Sequence, residues 1–550
     1  MSIGSRILAR LWHLPAPCTS DIVEHRGIRI AMPDGTQLLT DRYYPRGGET
    51  LPVILIRSPY GRDGQFRDLA LILAERGFQV LLQSCRGTGG SGGALHPSFQ
   101  EEQDGAATID WLGRQPWYCG RLALLGSSYL GNAAWAAVHS AGSRIAAMAL
   151  YATLSDASAE TYAFEGFTLE GCLAWTLQLT QPQVTGTVRL LLRGWLPQKL
   201  EPPPGLPALH SLPLRDTDQS AIGRHVPWWQ EWVEHAEPDD PFWQPLNFTA
   251  AAATAPPTAM TCGWHDIFLP WQIKDYAAMQ AARRPASLTI GPWAHSSIAA
   301  WGEGVRQALP LFREQLLNQP MEQSAPPRAP VRLYVMGAEE WREYDSWPPP
   351  GFTPVAFYLS GGGNLSTTRP ASSQPSRYAY DPADPTPAVH GPRLSGVRPT
   401  GNMAQLEDRS DVLLFTAKPL AASLEVVGPV SAELFFRSSL EHTDFFLVLC
   451  DIDLDGRCTN VCDGYIRVRP RRPSASNDGT RQVHIEFWPT AYRYSQGHRI
   501  RVIVASGAHP RYARNLGSGE PLADAVTFHV AQQQILHDPD HPSRILLPIA

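Results

Sequence analysis

Lysine is nearly missing from this sequence. Only Lys199, Lys274 and Lys418 are lysines among its 46 basic residues. This scarcity excludes a phosphate-binding loop of the Gly-Lys-Ser/Thr type. It also leaves no lysine near the serine pair at 127–128 in the sequence that could act as a base. The chain is therefore neither a P-loop enzyme nor a Ser-Lys hydrolase.

Cysteine, charge of one sign and long apolar runs are limited as well. The eight cysteines are scattered, and Cys450, Cys458 and Cys462 lack the paired spacing of a zinc site, so neither a disulfide framework nor a zinc site is predicted. A mild net charge of -6 argues against a nucleic-acid partner. Pro15 and Pro17 interrupt the apolar stretch near the N-terminus, which argues against a signal peptide and a membrane span. We expect a cytoplasmic protein with reduced thiols and no membrane partner.

Two short motifs begin like ligand sites but lack the required context. Residues 87–92 read Gly-Thr-Gly-Gly-Ser-Gly after an apolar strand, but residues 94–98 separate them from any helix, so no helix start faces the glycines. The run from Asp451 begins like a calcium loop, but its twelfth position is Cys462 instead of a bidentate glutamate. We expect a loop at the first motif and a hairpin turn at Asp455-Gly456 in the second.

A serine pair stands between a predicted strand and a predicted helix. The apolar run at 121–125 predicts a short strand, and the alanine-rich run at 133–139 predicts a helix. The residues between them must therefore form a sharp turn, which is the arrangement of a nucleophile elbow.

The glycines around this turn favour the second serine as the nucleophile. The backbone of an elbow is crowded, so the residue two positions before the nucleophile is small and glycine follows where the helix meets the strand. Ser128 has Gly126 and Gly131 in those places, whereas Ser127 is flanked by larger residues. The strict G-x-S-x-G pattern is missed by one residue, because Leu130 stands at its last glycine. The spacing predicts Ser128 as the nucleophile.

Two later strands each end in a polar residue. Residues 258–262 predict a buried strand that runs into Gly263-Trp264-His265-Asp266, and residues 286–290 predict another that runs into Gly291-Pro292-Trp293-Ala294-His295. Functional groups of open α/β sheets lie at the carboxyl ends of their strands. A serine needs an imidazole to take its proton and a carboxylate to hold the tautomer of that imidazole. The pattern predicts His295 as the base and Asp266 as the residue that orients it.

The order serine, aspartate, histidine along the chain is typical of an α/β-hydrolase. His139 and His265 compete for the role of the base, but neither ends a strand at the expected place. We interpret them as surface or core residues.

At 550 residues the chain is long enough for more than one core. Strands and helices alternate up to about residue 152, starting with two strands around the turn Pro33-Asp34-Gly35, which predicts a doubly wound sheet. From there to about residue 248 prolines separate helical runs such as 169–179 and 188–195, which predicts a helical cap. After residues 323–327 the pattern changes to short strands with glycine, proline and serine turns, which is typical of a β-sandwich.

The predicted fold class is an α/β-hydrolase with an inserted helical cap, followed by a C-terminal β-sandwich. The predicted boundaries are 1–153 and 249–325 for the two parts of the hydrolase core, 154–248 for the cap, and 326–550 for the sandwich. The linker at 323–327 contains Gln, Ser, Ala and two prolines.

Five segments of the chain resemble the CocE/NonD hydrolase family, which includes cocaine esterase, X-Pro dipeptidyl peptidases and α-amino acid ester hydrolases. They are Ile56-Arg57-Ser58-Pro59-Tyr60, Arg86-Gly87, Gly126-Ser127-Ser128-Tyr129-Leu130-Gly131, Gly263-Trp264-His265-Asp266 and Gly291-Pro292-Trp293-Ala294-His295-Ser296. The resemblance extends from Val23 to the C-terminus and is weakest between Asp156 and Asn247.

The resemblance implies a role for several residues. Ser128, Asp266 and His295 match the catalytic triad of the family, and the backbone N–H of Tyr129 matches one donor of its oxyanion hole. Tyr60 matches the phenol that supplies the second donor, although a packed tyrosine in a turn is an equal interpretation of Pro59-Tyr60-Gly61.

Further expectations follow from the same resemblance. It implies that the β-sandwich is a jelly roll and that Trp175 and Phe268 line the substrate pocket, although both could equally be packing residues. One departure concerns Ser84, because many relatives have aspartate there, and any ion pair of that aspartate must be absent or replaced.

The sequence predicts a serine hydrolase that cleaves an ester or amide of a small acyl substrate through an acyl-enzyme, without metal or cofactor. An acyltransferase that uses the same acyl-enzyme is a second interpretation, and an X-Pro-type dipeptidyl peptidase is a third. A non-catalytic protein whose sandwich binds a ligand is the least favoured, because the predicted site is complete. A homo-oligomer is left open.

Overall fold

The computed structural model describes residues 2–180, 206–319, 329–394, 398–470 and 478–550. Its strands are β1 (Ile22–Ala31), β2 (Gln37–Pro45), β3 (Val53–Ser58), β4 (Gln79–Ser84), β5 (Leu122–Ser127), β6 (Ala147–Tyr151), β7 (Tyr162–Ala163), β8 (Gly166–Phe167), β9 (Thr258–His265), β10 (Ala286–Ala294), β11 (Val331–Val335), β12 (Glu340–Tyr344), β13 (Thr353–Ser360), β14 (Asn364–Ser366), β15 (Ser376–Tyr380), β16 (Leu413–Ala417), β17 (Leu424–Gly428), β18 (Ser431–Ser438), β19 (Thr443–Ile452), β20 (Cys458–Val468), β21 (Arg481–Glu486), β22 (Thr490–Tyr494), β23 (Arg499–Ala505), β24 (Ala531–Leu536) and β25 (Arg544–Ile549).

The α-helices are α1 (Ile3–Leu11), α2 (Gln65–Ala74), α3 (Glu101–Gly113), α4 (Tyr129–Ala141), α5 (Ser158–Thr161), α6 (Leu169–Thr180), α7 (Thr217–Ile222), α8 (Pro227–Glu234), α9 (Leu269–Ala281), α10 (Ile298–Leu317) and α11 (Ala404–Glu407). Short 3-10 helices lie at Gly142–Arg144, Leu206–His210, Leu214–Asp216, Pro241–Leu246 and Thr249–Ala253.

The chain divides into two compact units. As far as their residues are described, the first unit holds residues 2–158, 178–180 and 241–330, and the second holds 159–177, 206–240 and 331–550. Much of the predicted cap thus belongs to the second unit. The three boundaries between the predicted segments remain a prediction, and the helix expected at 188–195 and the linker at 323–327 lie outside the described residues.

The sheet of the first unit has the strand order β1-β2-β4-β3-β5-β6-β9-β10. The β1 and β2 strands pair antiparallel and β2 also pairs antiparallel with β4, while the pairs from β4 through β10 are parallel. Parallel neighbours need crossover connections, and in this unit α2, α3 and α4 supply the first of them. The predicted α/β fold class is confirmed.

Helices cover both faces of this sheet. Side chains alternate between the faces of a strand, so Ile54 and Ile56 of β3 point to one face and Leu55 points to the other. The two isoleucines belong to a buried core with residues of α1, α2 and α10. Leu55 instead lines a small cavity together with Leu130 and Ala133 from the start of α4. The neighbouring strand β5 lies between the same two apolar layers, because Ala123 belongs to the buried core and Leu124 lines the cavity. This packing fixes where the carboxyl end of β5 lies.

The second unit is rich in strands. Its main sheet runs β15-β24-β18-β25-β13-β14-β16-β23-β19-β20, and β17, β21 and β22 pair outside this path. The expected C-terminal β-sandwich is confirmed. The calcium-like motif is a hairpin turn between β19 and β20, where the Asp453 carboxylate accepts the N–H groups of Asp455 and Arg457.

Polar contacts within the second unit hold segments of the predicted cap in place. Glu170 of α6 forms an ion pair with Arg393 at 2.5 Å, and both side chains are buried. Arg469 donates a hydrogen bond to the backbone oxygen of Ala236. The cap is not purely helical, because β7 and β8 form a small antiparallel hairpin that the sequence pattern did not predict.

Within the described ranges, no helix combines the length and the apolar character that a membrane-spanning segment requires.

Candidate active site

Ser128 is the single residue between β5 and α4. Its backbone has φ 53° and ψ -128°, a positive φ that non-glycine residues rarely adopt. The strain is held by backbone hydrogen bonds, because the Ser128 N–H donates to the carbonyl oxygens of Tyr151 and Ala152, each at 3.0 Å. This sharp turn presents the half-buried Ser128 side chain at the carboxyl end of the sheet.

Two glycines permit this turn by close approach. A Cβ on Gly126 would overlap the backbone of Leu130 and Gly131, and a Cβ on Gly131 would lie 2.5 Å from the hydroxyl of Thr153. Both positions therefore exclude larger residues, which is the physical reason why the glycine spacing points to Ser128.

Asp266 and His295 directly follow two neighbouring parallel strands. The β9 and β10 strands pair in register from Thr258 opposite Ala286 to Gly263 opposite Gly291, so their carboxyl ends meet at one edge of the sheet. Both strands are longer than the sequence pattern predicts, because the parallel pairing includes the two glycines and, after an irregularity between Gly291 and Ala294, resumes with Ala294 opposite His265.

Three side chains are hydrogen-bonded in series at this edge. His295 Nε2 lies 3.0 Å from Ser128 Oγ, and His295 Nδ1 lies 3.2 and 3.1 Å from the two carboxylate oxygens of Asp266. Asp266 is fully buried, and its Oδ1 accepts the backbone N–H of Phe268 at 2.8 Å. The structure thus brings together all three residues that the sequence pattern selected.

The two competing histidines lie elsewhere. His139 is partly exposed on α4, where its Nδ1 contacts Glu102 at 2.8 Å. His265 is buried at the end of β9, and this burial lowers its pKa to about 4, so the ring is neutral at physiological pH. Both positions agree with the interpretation as surface and core residues.

The two expected oxyanion donors are placed differently. Tyr129 is the first residue of α4, and the N–H groups at a helix start point toward a region that favours negative charge. Its buried phenol accepts the Ser98 N–H and donates to Glu101 Oε1, each at 2.9 Å. The Tyr60 ring is partly buried and stacks on Phe66 at 5.9 Å. This stacking suits both interpretations of Tyr60, so its role remains a prediction.

Position 84 carries no carboxylate, and the ion pair beside Ser84 uses a carboxylate from a neighbouring strand. Arg62 donates to the hydroxyl of Ser84 at 2.5 Å, and its Nε lies 3.2 Å from the buried carboxylate of Asp41 on β2. The carboxylate that balances this arginine is therefore supplied two strands earlier in the chain.

The two expected pocket residues lie in different units. Phe268 is buried at the start of α9, and its ring meets the His295 ring edge-on with centroids 5.1 Å apart. Trp175 lies on α6 in the second unit, where it stacks on Trp232 at 5.9 Å. Contact of either residue with a substrate remains a prediction.

Two residues that the sequence pattern did not single out contact this site. The Tyr151 hydroxyl donates to the backbone oxygen of His295 at 2.8 Å, and the Thr153 hydroxyl donates to the backbone oxygen of Ser128 at 2.7 Å. Tyr151 ends the buried strand β6, which lies next to the strand before Ser128, and Thr153 follows two residues later. Polar residues at a strand end are therefore the signal that could have found them.

No group of three or more His, Cys, Asp or Glu side chains is arranged to hold a metal ion in the part of the chain that the structure describes. All eight cysteines, including the three that lacked zinc spacing in the sequence, are free thiols.

Comparison with protein families gives two matches along the chain. Residues 34–297 match the model of the X-Pro dipeptidyl-peptidase (S15) family. Residues 326–546 match the model of the X-Pro dipeptidyl-peptidase C-terminal non-catalytic domain.

Individual relatives span nearly the whole chain. The cocaine esterase of Rhodococcus sp. (strain MB1 Bresler) is 31% identical over 571 residues, covering 95% of this chain and 98% of the relative. The solved structure of an α-amino acid ester hydrolase superposes with a TM-score of 0.81 at 24% identity, covering 98% of both chains. A hydrolase from Staphylococcus aureus has a TM-score of 0.71 at 16% identity, covering 96% of this chain and 94% of that one. The two structures support the fold.

Proposed function

This chain belongs to the CocE/NonD family of serine hydrolases, and from that membership we propose that it cleaves the ester of a small carboxylic acid with Ser128 as the nucleophile. The observation that carries the proposal is the position of His295 between two partners, with Nε2 at 3.0 Å from Ser128 Oγ and Nδ1 against the Asp266 carboxylate.

The chemistry follows from these contacts. His295 takes the hydroxyl proton as Ser128 Oγ bonds to the carbonyl carbon of the substrate, and the Asp266 carboxylate stabilises the imidazolium that forms. When the tetrahedral intermediate collapses, the ester C–O bond breaks and the alcohol leaves with the proton of His295. Water then attacks the acyl-enzyme by the same route and releases the acid and Ser128.

The negative charge of the tetrahedral intermediate needs donors. We assign this role to the Tyr129 N–H at the start of α4 and to the Tyr60 hydroxyl, because donors held in place before the reaction need no reorganisation when charge develops. Phe268 beside the His295 ring and Trp175 of α6 are our candidates for contacts with the acyl group.

An ester is preferred over an amide because the full-length relative with 31% identity is an esterase. The name of the matching family supports an X-Pro dipeptidyl peptidase as the second candidate. Transfer of the acyl group to an amine or alcohol instead of water, and a cytoplasmic location, remain predictions of the sequence.

The experiment compares a panel of p-nitrophenyl esters with aminoacyl-prolyl and aminoacyl p-nitroanilides. We expect turnover of esters and a fluorophosphonate adduct on Ser128 in the peptide mass spectrum. Turnover of the aminoacyl-prolyl anilides alone would favour the peptidase. New products in the presence of added amine or alcohol would favour the transferase.

Two serine variants test the nucleophile within this experiment. Ser127→Ala is the matched control for Ser128→Ala, because it removes a neighbouring hydroxyl from the same turn. An adduct on Ser127, or full turnover by Ser128→Ala, would overturn the assignment.

A further inference from the structure

Residues 151–155, here called the bridging segment, leave the end of β6 beside the nucleophile. The carbonyl oxygens of Tyr151 and Ala152 accept the Ser128 N–H, and the Thr153 hydroxyl donates to the Ser128 carbonyl oxygen at 2.7 Å. The segment therefore contacts both backbone polar groups of the strained Ser128, whose carbonyl oxygen also accepts the N–H groups of Gly131 and Asn132 at 2.9 and 3.2 Å.

The same segment also reaches the base. The Tyr151 hydroxyl donates to the His295 carbonyl oxygen at 2.8 Å, while its ring packs edge-on against Trp301. Burial, together with the negative charge of Asp266, raises the pKa of Tyr151, so its phenol stays protonated and remains a donor over the whole working pH range. Tyr151 thus links the backbones that carry Ser128 and His295.

The far side of the segment is anchored to the elements around Asp266. The Ala152 N–H donates to the Thr261 oxygen of β9 at 2.9 Å, and the Thr153 N–H donates to Gln272 Oε1 of α9 at 3.1 Å. Gln272 also donates to the Thr261 oxygen, so the Thr153 backbone is tied to β9 through it. The segment is therefore hydrogen-bonded to Ser128, to His295 and to the elements around Asp266.

We propose that Tyr151 and Thr153 are positioning residues, which hold the backbones of His295 and Ser128 at the separation that proton transfer requires. The inference rests on the proposed function, because it assigns the proton transfer to Ser128 and His295. Neither hydroxyl contacts the reacting atoms. Each acts through the backbone oxygen of a residue that does.

The expected effect follows from the short reach of proton transfer. The Ser128 and His295 side chains are 3.0 Å apart, and a misplacement of about 1 Å in an active site can cost about 100-fold in rate. Loss of one tether allows a smaller shift, so we expect kcat to fall about 10-fold. Substrate contacts are untouched, so KM should stay within about twofold.

Tyr151→Phe and Thr153→Val are the test variants, because each removes one hydroxyl and keeps the packing volume. Thr153→Ser is the rescue variant, since it keeps the donor. Thr258→Val is the control for threonine, because the buried Thr258 hydroxyl also donates to a backbone oxygen at 2.7 Å, but at the amino end of β9. Tyr378→Phe is the control for tyrosine, since it removes a buried 2.8 Å hydrogen bond from the β-sandwich.

The readouts are kcat, KM, Tm and the rate of fluorophosphonate labelling at Ser128. A 10-fold loss of kcat and of labelling rate in both test variants, with recovery in Thr153→Ser and wild-type values in the controls, supports the proposal. Wild-type kcat in folded Tyr151→Phe and Thr153→Val overturns it. Equal losses in the test and control variants also overturn it, since a general loss of stability would then explain them. Absence of labelling at Ser128 in the wild-type protein would instead refute the proposed function.

Discussion

Serine hydroxyls lie against imidazoles in both units of the molecule, with different surroundings. In the first unit Ser128 Oγ is 3.0 Å from His295 Nε2, and in the second unit Ser373 Oγ is 2.7 Å from His537 Nδ1. The second pair is the closer one. The other nitrogen of His295 faces the carboxylate of Asp266, whereas the other nitrogen of His537 faces the hydroxyl of Ser376 at 3.0 Å.

The third group decides what each pair can do. A carboxylate only accepts hydrogen bonds, so Asp266 fixes the proton of His295 on Nδ1 and stabilises the imidazolium. A hydroxyl can donate or accept, so Ser376 fixes no tautomer and offers no charge. Burial lowers the pKa of His537, which makes its imidazolium still less favourable. A short distance between serine and histidine is therefore not sufficient for a nucleophile.

Removing each serine breaks this comparison most directly. We expect Ser128→Ala to lose about 10⁴- to 10⁶-fold in kcat, because the acyl-enzyme can no longer form. Ser373→Ala and Ser127→Ala should keep kcat within about threefold of wild type. Steady-state kinetics on a p-nitrophenyl ester provide the measurement, and a large loss in Ser373→Ala would contradict the assignment of the two pairs.

Changing the third group tests the explanation itself. Asp266→Asn keeps the shape but removes the charge, and its amide can donate to Nδ1 and impose the wrong tautomer on His295. We expect kcat to fall about 10³- to 10⁴-fold. Ser376→Ala should leave kcat unchanged. If the kcat of Asp266→Asn stays within tenfold of wild type, the carboxylate is not what distinguishes the pairs.

The proposed oxyanion donor Tyr60 gives the next smaller effect. Tyr60→Phe removes one oxygen and keeps the ring on Phe66, so under the proposed role it deletes a bond made chiefly in the transition state. We expect kcat to fall about 10- to 1000-fold with little change in KM. Kinetics together with Tm separate the two interpretations, because a packing tyrosine would tolerate phenylalanine with unchanged kcat.

A second buried carboxyl in the first unit extends the comparison to the pH dependence of the free energy of unfolding. Asp275 of α9 accepts hydrogen bonds from the N–H and hydroxyl of Ser155, and burial raises its pKa to about 7. The folded state thus holds a proton that the unfolded state loses near pH 4, so stability falls as pH rises from about 4 to about 7. The total loss is at most about 4 kcal/mol, at about 1.4 kcal/mol per pKa unit.

Asp275→Asn should flatten this dependence, because its amide can keep both contacts with Ser155 without a charge. Chemical denaturation of both proteins at pH 5 and pH 8 gives the measurement. An equal fall in the free energy of unfolding for wild type and variant would show that Asp275 does not titrate in this range.

Much of the site could be predicted from the sequence, because its constraints are local. The crowding that demands Gly126 and Gly131 acts within one turn, and Asp266 and His295 stand immediately after apolar strands. The fold class could also be predicted from local patterns. The spacing of apolar residues indicates alternating strands and helices in the first part of the chain, and strands alone after residues 323–327.

Contacts between distant segments could not be predicted. Arg62 pairs with Asp41, and no local pattern around Ser84 reports which strand supplies the carboxylate. The grouping of 159–177 with the sandwich depends on ion pairs such as Glu170 with Arg393, which are 223 residues apart. Tyr151 and Thr153 match no motif, because they act through hydrogen bonds to backbone oxygens that any residue can provide.

The close approach of Gly131 and Thr153 restricts how this site can evolve. A methyl group at position 131 would lie 2.5 Å from the hydroxyl of Thr153 and 2.6 Å from its Cβ, so Gly131→Ala requires glycine at 153 first. That first step gives up the hydroxyl that binds the Ser128 oxygen. The two positions are thus epistatic, and the order of substitution decides whether an intermediate survives. Libraries that randomise position 131 alone will return glycine, whereas paired randomisation of 131 and 153 opens the alternatives.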